Sequence, residues 1–143
     1  IGDVSVKAAL GYTNDDAGSI GGDTTGGSIA VKHSSGFSLA FAHGEIDRSA
    51  DSTVDPDYFR ANVGYETKMN SLGNTTFKFD YHETEDGVTA GDQAEDVTIG
   101  VVQALDSVGG KMGIEYSNIS FSDAAGTDYN DIDVVYFETA LNF

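Results

Sequence analysis

From Phe77 to His82 the chain alternates between large rings and charged or titratable groups: Phe77, Phe79 and Tyr81 against Lys78, Asp80 and His82. Only an extended strand separates two such sets, because successive side chains leave opposite faces of the backbone. The same period of two recurs along the chain, and the charges keep its phase. Of seven Lys plus Arg residues, Lys7, Lys32, Arg60, Lys78 and Lys111 all fall opposite the apolar residues of their own runs. Glu66, Asp80, Glu115 and Glu138 share that charged face. No helical period of 3.6 competes with this pattern. The chain must therefore build a sheet with one apolar and one charged face.

Taken in order, the alternation predicts eight strands. The first covers 3–13, with Val4, Val6, Ala8, Leu10 and Tyr12 facing away from Ser5, Lys7, Ala9 and Gly11. An acidic, Gly-rich loop over 14–27 leads to a short strand at 28–33. A three-residue turn at 34–36 has the length of a hairpin connection. The third strand carries Phe37, Leu39 and Phe41, and a second acidic loop over 47–57 holds the only proline, Pro56. Strand four spans 58–68 and ends in a short turn at 69–74. The fifth strand is followed by a loop over 83–95, and the sixth spans 96–105 before a turn at 106–110. The seventh sets Met112, Ile114 and Tyr116 against Lys111, Gly113 and Glu115. A last acidic loop over 123–130 precedes the eighth strand, 131–143. Connections alternate long and short, and the long ones hold most of the carboxylates. An even number of strands, short turns on one side and longer loops on the other describe an all-β, antiparallel, up-and-down transmembrane barrel occupying 1–143 as one domain. A soluble sandwich would use the same charged face as its wet surface. The aromatics near strand ends on the apolar phase (Tyr12, Phe37, Tyr65, Tyr81, Phe143) favour lipid, since interfacial girdles require them there.

Composition narrows the function. Twenty-four Asp plus Glu against seven basic residues give a net charge of −17, which argues against a nucleic-acid partner. With no Cys, disulfide scaffolds, thiol catalysis and cysteine metal sites are excluded. No apolar run approaches the roughly 20 residues of a membrane-spanning helix.

Candidate chemistry is sparse. Lys78, Asp80 and His82 share one strand face, a spacing that any pore-lining strand produces as readily as a catalytic or metal cluster. No nucleophile motif, phosphate loop or HExxH pattern is present, so no catalytic residue, metal or cofactor is expected. His33 and His43 read as strand-end residues. The acidic groups Asn14-Asp15-Asp16, Glu83/Glu85/Asp86, Asp92/Glu95/Asp96 and Asp128/Asp131/Asp133 lack the spacing of a calcium loop. They read as solvated loops, with weak divalent-cation bridging to anionic lipopolysaccharide as a by-product.

The final strand, NDIDVVYFETALNF, ends on an aromatic residue and places Phe137, Leu141 and Phe143 on one face. Such an ending is similar to the signal that the barrel-assembly machinery reads in outer-membrane proteins of Gram-negative bacteria. Together with GGSIAVKHSSGFSLAFAHGE, DYFRANVGYETK and NTTFKFDYHETED, it resembles the carboxyl-terminal half of Gram-negative trimeric porins. The resemblance implies an outer-membrane location, contact with lipid and lipopolysaccharide, a homotrimer, and passive diffusion of small hydrophilic solutes and ions. It also implies that Lys7, Lys32, Arg60, Glu66, Lys78, Asp80, His82, Lys111, Glu115 and Glu138 line the pore. Such porins have about sixteen strands and a long constriction loop, and this chain departs from both. Either eight strands form half of a wide barrel, or they form a small one whose interior is filled by side chains, acting as an anchor or adhesin. Small inward residues (Ala9, Gly11, Ala40, Ala42, Gly64, Gly100, Gly113) suit the wide lumen. A soluble β-sandwich binding module is the third reading.

Overall fold

The computed structural model describes residues 2–14, 22–48 and 54–141. Eight strands form one antiparallel sheet in chain order: β1 (Val4–Thr13), β2 (Asp23–His33), β3 (Phe37–Asp47), β4 (Asp57–Thr67), β5 (Thr75–Glu85), β6 (Gln93–Leu105), β7 (Gly110–Ser122) and β8 (Ile132–Ala140). One 3-10 turn, Asp106–Val108, links β6 to β7. Because all eight strands share one sheet, the described residues offer no second sheet for a sandwich. No large apolar side chain among the described residues is buried: Leu10 is 94% exposed and Phe137 70%. An apolar face this bare needs a covering from outside the chain. No helix among the described residues is long and apolar enough to cross a membrane, which says nothing of strands.

The strands run further than the alternation predicts. β2 starts at Asp23 rather than 28, and β5 and β6 approach one another to leave a loop of only 86–92. At these ends neither face carries a large apolar side chain, as at Thr84 and Glu85 against Ala94 and Gln93, so the period-two signal fades while the backbone ladder continues. Only hydrogen bonding marks those ends.

β1 pairs only with β2, and β8 only with β7. The sheet is therefore open. With an even number of strands, its two edges run antiparallel to each other. The short turns and the far end of β8 share one side. The Gly36 turn is tight because this residue sits at φ +97 and a Cβ there would meet the Glu66 carbonyl oxygen at 2.0 Å.

Candidate functional site

The ladder register carries the charged residues onto one face. A single row crosses the whole sheet through Ser5, Lys32, Ser38, Gly64, Lys78, Gly100, Glu115 and Tyr136. The next row toward the long loops runs from Lys7 through Asn62, Asp80 and Thr98 to Ser117. Above it lie Arg60, His82 and Asp96 as direct cross-strand partners. Below lie Glu66 and Glu138, in one row with Gly113, and Lys111 one step lower. All ten residues expected on the charged face occupy it.

Four ion pairs connect them. Arg60 donates from Nε and Nη2 to Asp80 at 2.9–3.1 Å, and Asn62 adds a bond to the same carboxylate at 2.8 Å. This fork-to-carboxylate arrangement holds Asp80, 14% exposed, most firmly. Lys78 meets Glu115 at 2.5 Å although β6 lies between them. Gly100 makes this crossing possible: a Cβ there would lie 2.9 Å from both Glu115 Cγ and Lys78 Cε. Lys32 likewise reaches over β3 to Glu66 at 3.7 Å, and Lys111 meets Glu138 on the adjacent strand at 3.0 Å. Lys7 makes no ion pair among the described residues.

The supposed Lys78/Asp80/His82 cluster is thereby divided, since Lys78 turns to β7 while Asp80 is held from β4. The Asp92/Glu95/Asp96 group separates too. Asp92 is a loop residue, Glu95 pairs with Glu83 on the apolar phase, and Asp96 sits opposite His82 on the charged face. No three described His, Asp or Glu side chains gather as a metal site would require. His43 lies within β3 rather than at its end, on the apolar phase opposite Phe59, with Nδ1 2.9 Å from the Tyr58 carbonyl oxygen. His33 does end β2, 2.7 Å from the Ser35 hydroxyl. Phe137 pairs with Ile114 on the apolar face, and Leu141 lies just past β8 beside Gly110. Phe143 falls outside the described residues.

The charged face also contains Asn62, which the alternation of its strand already places there, and Tyr58, Asp96, Thr98 and Ser117, which alternation alone did not single out. Tyr58 lies over Gly44, whose Cβ would meet its ring at 2.6 Å. Thr98 bonds to the Asp96 carboxylate at 3.0 Å and contacts the Ser117 hydroxyl. Once strand ends are known, even numbering on β4–β6 locates four of these five residues, and odd numbering on β7 locates Ser117.

The opposite face carries an apolar band bounded by tyrosines. Tyr12 donates to Asp23 at 2.8 Å, Tyr81 to Glu83 at 2.5 Å, and Tyr116 to Asp133 at 2.6 Å. These rings share no register row. The row of Tyr12 reaches β5 at Glu85 and β7 at Ser122, so Tyr81 lies four residues lower and Tyr116 six. The boundary falls one residue per strand. Six residues are about 20 Å of strand, and six strand spacings about 29 Å, so the contour slopes by about 35°. Strands of transmembrane barrels tilt by about that angle, which makes the slanted line horizontal in a membrane. A ring at the hydrocarbon edge with its phenol on a carboxylate suits that position.

Above this line, in each of two loops one carboxylate gathers several donors. Asp92 accepts the backbone N–H groups of Gly87, Val88 and Thr89 at 2.7–3.1 Å. Asp123 accepts those of Ala125 and Thr127 at 2.9 Å, with the Tyr129 hydroxyl at 3.1 Å. These donors, Thr89 foremost for Asp92 and Thr127 for Asp123, hold both carboxyls below their ordinary range.

Neither a search of curated proteins nor one of solved structures gives a match. The family model for Gram-negative porins matches residues 1–134. Nearly the whole chain is covered, including all of β1–β7 and the opening of β8. One continuous antiparallel sheet with an apolar outer band and a charged face agrees with that match, and the chain belongs to the Gram-negative porin family, as an outer-membrane β-barrel protein.

Proposed function

We propose that the charged face lines a water-filled lumen through which small hydrophilic solutes and ions diffuse passively, sorted by size and by the fixed charges of the wall. The observation that carries this reading is the segregation of ion pairs. All four lie on one face, each with at least one partner about a quarter or more exposed, while the other face presents an exposed apolar band between polar strand ends and makes no ion pair among the described residues. Charges facing lipid would cost about 2–4 kcal/mol each at the membrane midplane, so this face belongs to water.

The open edges favour a wide lumen over a packed eight-stranded barrel. Unpaired backbone groups on β1 and β8 would cost several kcal/mol each in hydrocarbon. Further strands, alternating in direction, complete the wall in this reading, and because β1 and β8 run in opposite directions their number is even. The glycines beneath the ion pairs leave room above them, as a wide lumen needs. Assembly as a homotrimer, insertion by the barrel-assembly machinery through Phe137, Leu141 and Phe143, and contact with lipopolysaccharide complete the proposal. Catalysis forms no part of it.

Planar-bilayer recordings test it. The native protein should show discrete conductance steps, and Arg60→Glu should change the cation-over-anion permeability ratio about fivefold in 0.1 M salt. That estimate takes two charge units several Å from the ion path, partly screened. An unchanged reversal potential would remove Arg60 from the pore wall, and absence of steps would favour the anchor or adhesin.

A further inference from the structure

Within the eight strands the charged face is balanced. Lys7, Lys32, Arg60, Lys78 and Lys111 oppose Glu66, Asp80, Glu115, Glu138 and Asp96, five against five. His82 is the one histidine on this face, since His33 and His43 fall on the apolar phase opposite Val4 and Phe59. It sits one residue beyond Tyr81, where the apolar band of β5 ends, and so lies toward the long-loop mouth rather than at midplane. Its direct partners are Arg60 on β4 and Asp96 on β6. Asp80 and Thr84 flank it on its own strand, and the Tyr58 ring stands edge-on at 6.3 Å. Arg60 is engaged by Asp80, and Asp96 accepts from Thr98, so neither forms an ion pair with the imidazole.

We infer that His82 makes the ion preference of this pore depend on pH, its protonation adding one positive charge to a stretch of strand wall whose other charges balance. The inference rests on the lumen reading above. Histidine is the side chain type whose ordinary titration lies between pH 5 and 8. One charge gained on a balanced wall has a leverage that it would lack on a strongly charged one. Both effects of that charge, attraction of anions and repulsion of cations, act on the same ratio.

The test is the reversal potential of the native protein in planar bilayers under a potassium chloride gradient centred on 0.1 M, at pH 8 and pH 5.5. Acidification should raise the chloride-over-potassium permeability ratio about two- to threefold, and 1 M salt should largely erase the change. His82→Gln should abolish the shift. His43→Gln, on the other face, should retain the shift in full. A shift that survives His82→Gln overturns the inference while leaving the pore intact. A native protein without conductance overturns the lumen reading itself.

Discussion

Gly100 allows the crossing of β6 by Lys78 and Glu115 to be weighed. An ordinary carbon contact is about 3.5–4.0 Å, yet a Cβ at position 100 would lie 2.9 Å from both Glu115 Cγ and Lys78 Cε and 3.2 Å from Lys78 Cγ. Gly100→Val must therefore lift the pair off the sheet. Its side chains are only 31% and 24% exposed, so losing this charge-assisted bond costs about 1.5–3 kcal/mol. Against that, replacing a strand glycine with a β-branched residue gains about 0.5–1 kcal/mol. The net expectation is a destabilisation of about 1–2 kcal/mol. In a background where Lys78→Ala and Glu115→Ala have already removed the pair, only the gain remains and the sign reverses. Equilibrium urea unfolding of the refolded protein in lipid vesicles measures both values, read as midpoint shifts at constant slope. A coupling of about 2 kcal/mol or more between position 100 and the pair is expected. If Gly100→Val has the same effect in both backgrounds, within about 0.5 kcal/mol, the pair does not rest on this glycine and the reasoning fails.

Two other expectations concern the rest of the molecule. Phe79→Lys, in the middle of the apolar band opposite Val63 and Ile99, should cost about 2–4 kcal/mol of stability in lipid. Thr98→Lys on the other face should cost less than about 1 kcal/mol, and equal penalties in a vesicle unfolding assay would contradict the assignment of the two faces. The Asp92 carboxyl is held low by its N–H donors, so its contribution is present above the ordinary carboxylate pKa of about 3.9 and is lost as pH falls through the lower folded value. Amide exchange at Gly87, Val88 and Thr89, corrected for intrinsic rates, should stay slow at pH 5 and accelerate only in stronger acid. Asp92→Asn should exchange faster at neutral pH, and equal protection in the variant would show that the carboxylate does not close the loop.

Much of this protein could be read from the chain alone because its two faces meet different surroundings. The alternation of Phe77, Phe79 and Tyr81 with Lys78, Asp80 and His82 identifies a strand and its faces without reference to any neighbour, and it predicts eight strands and their order. It does not locate strand ends, because Asp23–Gly27 and Thr84–Glu85 have no apolar partner phase while their backbone groups still pair. Nor could it reveal which carboxylate each cation meets. Lys78 and Glu115 are 37 positions apart, and Lys32 and Glu66 are 34 apart. They become neighbours through a register that two intervening ladders set, and only Gly100 lets the first pair close. The slope of the tyrosine boundary has the same origin, being a relation between strands rather than along one. Local side-chain chemistry decided which way each residue faces, and hydrogen-bond register between distant strands decided what each residue faces.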